Sequence, residues 1–197
     1  MVRSHRPGEG RPRRNPAGFY WHPCRFSASV ASPRLTPAPI DRPKPAMRIA
    51  LYQPDIPQNT GTILRLCACL GIDAHIIAPA GFPTSDRAFR RAGMDYLDTV
   101  ALVRHASWRT FEAWRQKSGH RLLLFTTAAS LSYLDYAYRA DDVLLFGRES
   151  AGVPDEVHAA ADARLVIPMR PGLRSLNVAV AAAMAAGEAL RQTGGIL

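Results

Sequence analysis

Three segments concentrate the residues whose types and spacing could do chemistry. The first is Phe146-Gly147-Arg148-Glu149-Ser150-Ala151-Gly152-Val153-Pro154, where an apolar run breaks into a glycine-bounded loop. Gly147 and Gly152 permit positive φ and let a backbone wrap a ligand, and Glu149 is a lone carboxylate beside Arg148 and Ser150. The second is Ile167-Pro168-Met169-Arg170-Pro171-Gly172-Leu173-Arg174-Ser175-Leu176-Asn177, which opens a long alanine-rich helix. Ser175 and Asn177 stand at the edge of that helix, where capping by itself explains their types. The third is Pro57-Gln58-Asn59-Thr60-Gly61-Thr62-Ile63-Leu64-Arg65. There Asn59 can cap a helix, Gly61 allows close approach, and Arg65 suits an anion such as a nucleic-acid phosphate. On spacing alone, each segment is also readable as an ordinary turn or cap.

The elements that must position these residues alternate between strand and helix. Arg48 to Gln53 reads as a strand, Pro54 to Asn59 as a proline-bounded loop, and Thr60 to Leu70 as a helix stopped by Gly71. Strands are expected at Ala74 to Ala78, Asp98 to Val103, Arg121 to Thr126, Val143 to Phe146 and Arg164 to Ile167. Between them, Ser85 caps a helix through Arg91, Ser107 one through Lys117, and Pro154 starts another. A final helix runs from about Asn177 to Gln192. Continuous apolar strands with intervening helices imply an α/β fold, with a mostly parallel sheet covered by helices on both faces. Loops at the carboxyl ends of adjacent buried strands are where such sheets build ligand sites. No internal repeat or second domain is visible.

The net charge of +9 looks like a nucleic-acid signature until its distribution is read. Residues 1–46 carry nine basic groups against Glu9 and Asp41, and nine of the sixteen prolines. The remainder, 47–197, has 16 basic and 14 acidic groups, a charge of only +2. The 1–46 segment lacks any periodicity that could bury apolar surface and is expected to be disordered. Met47 is followed at once by a clean strand, which makes it the expected start of the folded domain or of the natural chain. A basic arm adding weak RNA affinity is the other reading. No secretory h-region is present, and no apolar run approaches the about 18 residues of a membrane span. Cys24, Cys67 and Cys69 form no disulfide framework and no redox pair, so a reducing, cytoplasmic setting is expected. The histidines show no metal-ligand spacing, and no metal is implied. The glycine loops match neither a Walker loop nor a dinucleotide fingerprint, and no nucleophile elbow is present.

Taken together, Asn59-x-Gly61-x-x-x-Arg65, Phe146-Gly147-x-Glu149-x-x-Gly152-x-Pro154, and Ile167-Pro168-Met169 followed by Ser175-Leu176-Asn177 resemble the three signature motifs of SPOUT-superfamily RNA 2′-O-methyltransferases. The openings Leu51-Tyr52-Gln53-Pro54-Asp55-Ile56-Pro57 and Arg90-Arg91-Ala92-Gly93-Met94-Asp95-Tyr96 look like the small branch that methylates the tRNA wobble nucleotide. The resemblance spans essentially all of 47–197. It implies an S-adenosylmethionine-dependent homodimer with a C-terminal trefoil knot, acting on cytidine or modified uridine of leucine tRNAs. Carried across, the cofactor positions are Phe125, Thr126, Gly147, Ile167, Met169, Ser175 and Leu176. Asn59, Arg65, Glu149 and Asn177 match the polar catalytic positions, and Arg65, Arg90 and Arg91 are the expected RNA contacts. A guanidinium keeps its proton, so Arg65 is expected to orient phosphate and ribose rather than act as a base.

Two positions depart from the branch. Val178-Ala179-Val180 follows Asn177 where relatives carry more polar residues, and Gly187 stands where they can carry an aromatic. Both weaken expectations of tRNA contacts from the last helix. The competing readings are a sister enzyme acting on another tRNA position or on ribosomal RNA, an inactive RNA-binding module, and a generic phosphate-binding α/β protein.

Overall fold

A computed structural model describes residues 46–85, 87, 89 and 99–194, all within the unit Arg42–Leu197. Its chain order is β1 (Arg48–Tyr52), α1 (Pro57–Leu70), β2 (Asp73–Ile77), β3 (Leu102–His105), α2 (Trp108–Ser118), β4 (Leu122–Phe125), β5 (Leu131–Ser132), β6 (Val143–Phe146), α3 (Asp155–Ala160), β7 (Ala163–Val166) and α4 (Val178–Thr193). The strands form one seven-stranded sheet in the order β3-β2-β1-β6-β4-β7-β5, with every pair parallel.

The sheet is buried on both faces, which is why its strands are apolar without alternation. Alternate residues still face opposite layers. Ile49, Leu51, Leu123, Phe125, Leu144 and Phe146 pack with Ile63, Leu64 and Cys67 of α1 and with the alanines of α4. Ala50, Tyr52, Leu122, Leu124, Val143 and Leu145 pack against Phe111 of α2 and Val157 of α3. In α4, Ala182, Ala185, Ala186 and Ala189 are fully buried, so the small side chains let this helix lie close to the sheet.

Local signals set the helix ends. Ser107 and Thr110 form a reciprocal capping box on α2, and Gly119 closes it at φ 70°. Asn177 caps α4 by accepting from the Ala179 and Val180 N–H groups at 2.8 and 3.4 Å. Gly71 and Gly194 end α1 and α4 in the left-handed conformation.

Several expectations are corrected. Helix α1 starts at Pro57 rather than Thr60, and its N-cap is Ile56, so Asn59 is no cap. Proline at the first helical position supplies the starting φ without any side-chain cap. Strand β3 is Leu102–His105 instead of Asp98–Val103, because its pairing follows His105, which is buried beside His75. The two-residue strand β5 was not anticipated; it is too short to carry a period. Strand β6 has the expected bounds, and the ends of β1, β2, β4 and β7 differ by at most one residue. The helix expected from Ser85 to Arg91 lies mostly outside the described residues, although the Phe89 N–H donates to the Ser85 carbonyl at 3.0 Å.

Candidate active site

The loops after β1, β6 and β7 meet at one edge of the sheet. After β1 the chain turns sharply, with Gln53 held at φ 45° while its N–H donates to the Ile77 carbonyl. Gly81 packs against this turn so closely that an added Cβ would stand 3.0 Å from the Asp55 Cα. After β6, Gly147 and Gly152 have different duties. Gly152 adopts φ 64°, whereas Gly147 lacks the positive φ expected of it. Gly147 is required by contact instead, since a Cβ there would meet the Gly152 carbonyl carbon at 2.7 Å. The Arg148 and Gly152 main chains exchange hydrogen bonds of 2.9 and 2.8 Å, which closes the loop on itself.

Asparagine and carboxylate side chains tie the three loops together. Asn59 Nδ2 donates to Glu149 Oε1 at 3.1 Å, and Asn177 Nδ2 donates to Asn59 Oδ1 at 2.9 Å. The Asp55 N–H donates to Glu149 Oε2 at 3.2 Å, and the Glu149 N–H returns a bond to Asp55 Oδ1 at 3.2 Å. The Ser150 hydroxyl donates to Asp55 Oδ2, and the Arg148 Nε lies 3.9 Å from the same oxygen. This geometry separates two neighbouring acids. Burial, then the Asp55 carboxyl, pushes Glu149 above the usual carboxylate range. The hydrogen bond from Glu149, against some burial and with help from Ser150, holds Asp55 down at about 2.

These loops surround a cleft of about 410 Å³. All seven expected cofactor residues, Phe125, Thr126, Gly147, Ile167, Met169, Ser175 and Leu176, line it, as do Asn59, Glu149 and Asn177. Leu124, Phe146, Leu165 and Ala181 complete an apolar lining behind that polar rim. Arg65 does not line the cleft; it is exposed on the α1 face shared with Gln58, Thr62 and Cys69. A helix rotates about 100° per residue, so the six-residue step from Asn59 carries Arg65 well round from it. Arg90 and Arg91 lie outside the described residues. Asp55 is the residue that sequence reading missed. An acid between two prolines beside a candidate loop was the available signal, but its partners are 94 and 95 residues away. Among the described residues no group of His, Cys, Asp or Glu side chains could hold a metal ion.

Residues 46–187 match the SpoU rRNA Methylase family model. The chain is 69% identical over 148 residues to a tRNA (cytidine(34)-2'-O)-methyltransferase of Beijerinckia indica subsp. indica, covering 75% of this chain and 92% of that protein. A solved structure described as giving structural insights into the 2-OH methylation of C/U34 on tRNA superposes with a TM-score of 0.69 at 43% identity, covering 74% of this chain and 95% of that one. An AdoMet-bound rRNA methyltransferase from Sinorhizobium meliloti aligns with a TM-score of 0.66 at 29% identity over 74% of this chain and 56% of its own. The sequence match, the three loops and the parallel sheet agree, and the chain belongs to the SpoU rRNA methylase family.

Proposed function

We propose that this protein methylates the ribose 2′-hydroxyl of the wobble nucleotide of tRNA, using S-adenosylmethionine. The observation that carries the reading is the single cleft at which the glycine loops and α1 bring Asn59, Glu149 and Asn177 together with an apolar wall. Relatives named for methylation at cytidine 34 supply the position. The substrate we assign is cytidine or modified uridine in leucine tRNAs.

The cleft suits the methyl donor. Ile167, Met169 and Leu176 offer apolar surface for an adenine, and Thr126, Gly147 and Ser175 offer polar and main-chain groups beside it. When bound, S-adenosylmethionine supplies a methyl carbon on a positively charged sulfur, which departs as a neutral thioether. What remains for the protein is to align the acceptor and take its proton. Glu149 is the proton acceptor in this reading: it is a half-buried carboxylate in the cleft whose basicity is raised by burial and by Asp55. Asn59 fixes one of its oxygens. Asn177 in turn fixes Asn59, so the α4 cap is also a site residue. Arg65 holds phosphate and steadies the charge that develops on the ribose oxygen.

A homodimer accounts for two features. Val180 and Met184, on one face of α4, are 50% and 38% exposed. Pairing across that face would cover them, and it offers a route for Arg65, outside its own cleft, to serve the partner's. A trefoil knot fits the chain path. Strand β6 inserts between β1 and β4, and α4 then returns to pack on α1 and β6. The stretch between β4 and β6 meets α4 where Gln192 bonds the Tyr136 carbonyl and the Tyr138 N–H.

The test is mass-spectrometric mapping of 2′-O-methylated nucleotides in tRNA from cells with and without the gene. Loss confined to the wobble nucleotide is expected. Loss at another position, or in ribosomal RNA, would favour the sister activity.

A further inference from the structure

We propose that Asp55 is a positioning residue for methyl transfer, latching the 147–153 loop onto the start of α1 and placing a second negative charge beside Glu149. The inference rests on the methyl-transfer reading above. Four contacts carry the latch. The Glu149 N–H and the Ser150 hydroxyl both donate to the Asp55 carboxylate, one to each oxygen. The Asp55 N–H donates back to Glu149 Oε2. Arg148, whose Nε is buried without a hydrogen-bond partner, finds its countercharge 3.9 Å away on Asp55 Oδ2. A carboxylate that accepts from two consecutive residues of one loop and faces the cation of the residue before them holds that loop in a single register.

Asp55 is itself held in place. Gln53, a non-glycine residue at φ 45°, aims the chain after β1, and such backbone persists only where surrounding structure over-determines it. Gly81 presses on Asp55 from the other side, with its N–H bonded to the Pro54 carbonyl at 2.9 Å. Two constraints therefore converge on the acid that bonds the loop bearing Glu149.

The charge has a chemical consequence. The charged groups facing Glu149 are Asp55, from the loop after β1, and Arg148, on its own loop. Helix α1 presents neutral Asn59, with Arg65 further along, and the third loop presents neutral Ser175 and Asn177 after Arg174. Arg148 is engaged by Asp55, so Glu149 meets a like charge at close range. A like charge disfavours the ionised form and makes the remaining carboxylate a stronger base.

The experiment combines two readouts on the full chain. Carboxyl carbons of Asp55 and Glu149 are followed by NMR during acid titration of ¹³C-labelled wild-type protein and of Asp55→Asn. In wild type the two are expected to titrate as a pair, Asp55 low and Glu149 high. In Asp55→Asn, Glu149 is expected to titrate at lower pH than in wild type, still raised by its burial. The acid limb of kcat/KM for tRNA methylation should move down with it, and Asp55→Glu should restore the limb. Independent titration of the two acids in wild type would overturn the proposal even if Asp55→Asn failed to fold. A folded Asp55→Asn with reduced kcat/KM but an unmoved limb would also overturn it, because a mere clamp lowers rate at every pH alike. Wild-type protein that methylated no tRNA would refute the functional reading, and the carboxyl titration would still decide the pair.

Discussion

Asn59 and Asn177 show how one residue type can serve fold and chemistry together. Asn177 spends its carbonyl oxygen on capping α4 and its amide on Asn59, and Asn59 passes its own amide to Glu149. The capping reading of Asn177 holds, and the same side chain also reaches into the cleft through Asn59. Arg65 is a different case, since it does not line the cleft of its own chain and its proposed role calls on the proposed dimer. If it grips phosphate or ribose through the planar guanidinium, Arg65→Lys keeps the charge and loses the fork. We expect kcat/KM on tRNA to fall by at least about tenfold, with S-adenosylmethionine affinity from calorimetry unchanged. Near-normal turnover by Arg65→Lys would remove the clamp role.

Among the elements, the glycine loop after β6 and the histidine pair between β2 and β3 make the clearest predictions. Gly147→Ala places a methyl group 2.7 Å from the Gly152 carbonyl carbon, a clash with backbone that cannot rotate away. The loop must open, so we expect loss of measurable S-adenosylmethionine binding together with a lower melting temperature. Unchanged binding by Gly147→Ala would mean that the loop closure is dispensable. On the opposite layer, His75 and His105 stack and hydrogen-bond at 2.8 Å under Phe111 and Trp114. Burial, then His105 and Arg48, lowers His75 to about 3, so it is neutral in the folded protein. The unfolded chain takes up that proton near pH 6.5, which places the full contribution above that pH and its loss below it. At pH 5 the penalty from His75 alone is about 2 kcal/mol. Urea denaturation should show stability falling from pH 7 to 5 in wild type, and falling less steeply in His75→Leu.

For the whole molecule, the predictions concern assembly and charge. The proposed dimer would cover the exposed apolar face on α4 and supply an Arg65 to a cleft that its own Arg65 does not line. Val180→Glu puts a charge at the centre of that face, where the side chain is half exposed in one chain. Sedimentation should find a dimer for wild type and a monomer for Val180→Glu, with methylation lost as well. A monomeric wild-type protein with full activity would remove the dimer from the mechanism. Under the proposed function, the low charge of 47–197 calls for tRNA to be held by a local patch rather than by a global field.

Sequence alone determined the parallel α/β class, because buried strands leave continuous apolar runs and helices leave caps and glycine stops. The loop residues were equally legible, since glycines, prolines and capping side chains act within a few residues of themselves. Even so, the boundaries of α1 and β3 were misplaced, because a proline start and a buried histidine pair outweighed local propensity. Tertiary structure alone decided which loops meet. The Asn59–Glu149 and Asn59–Asn177 bonds span 90 and 118 residues, and no local pattern encodes them. It also showed Gly147 to be needed for contact rather than for φ, kept Arg65 out of the cleft, and brought Asp55 to the loop that bears Glu149. Local conformation follows from neighbouring residues, whereas a site is made of distances, and those are set only when the strands take their order in the sheet.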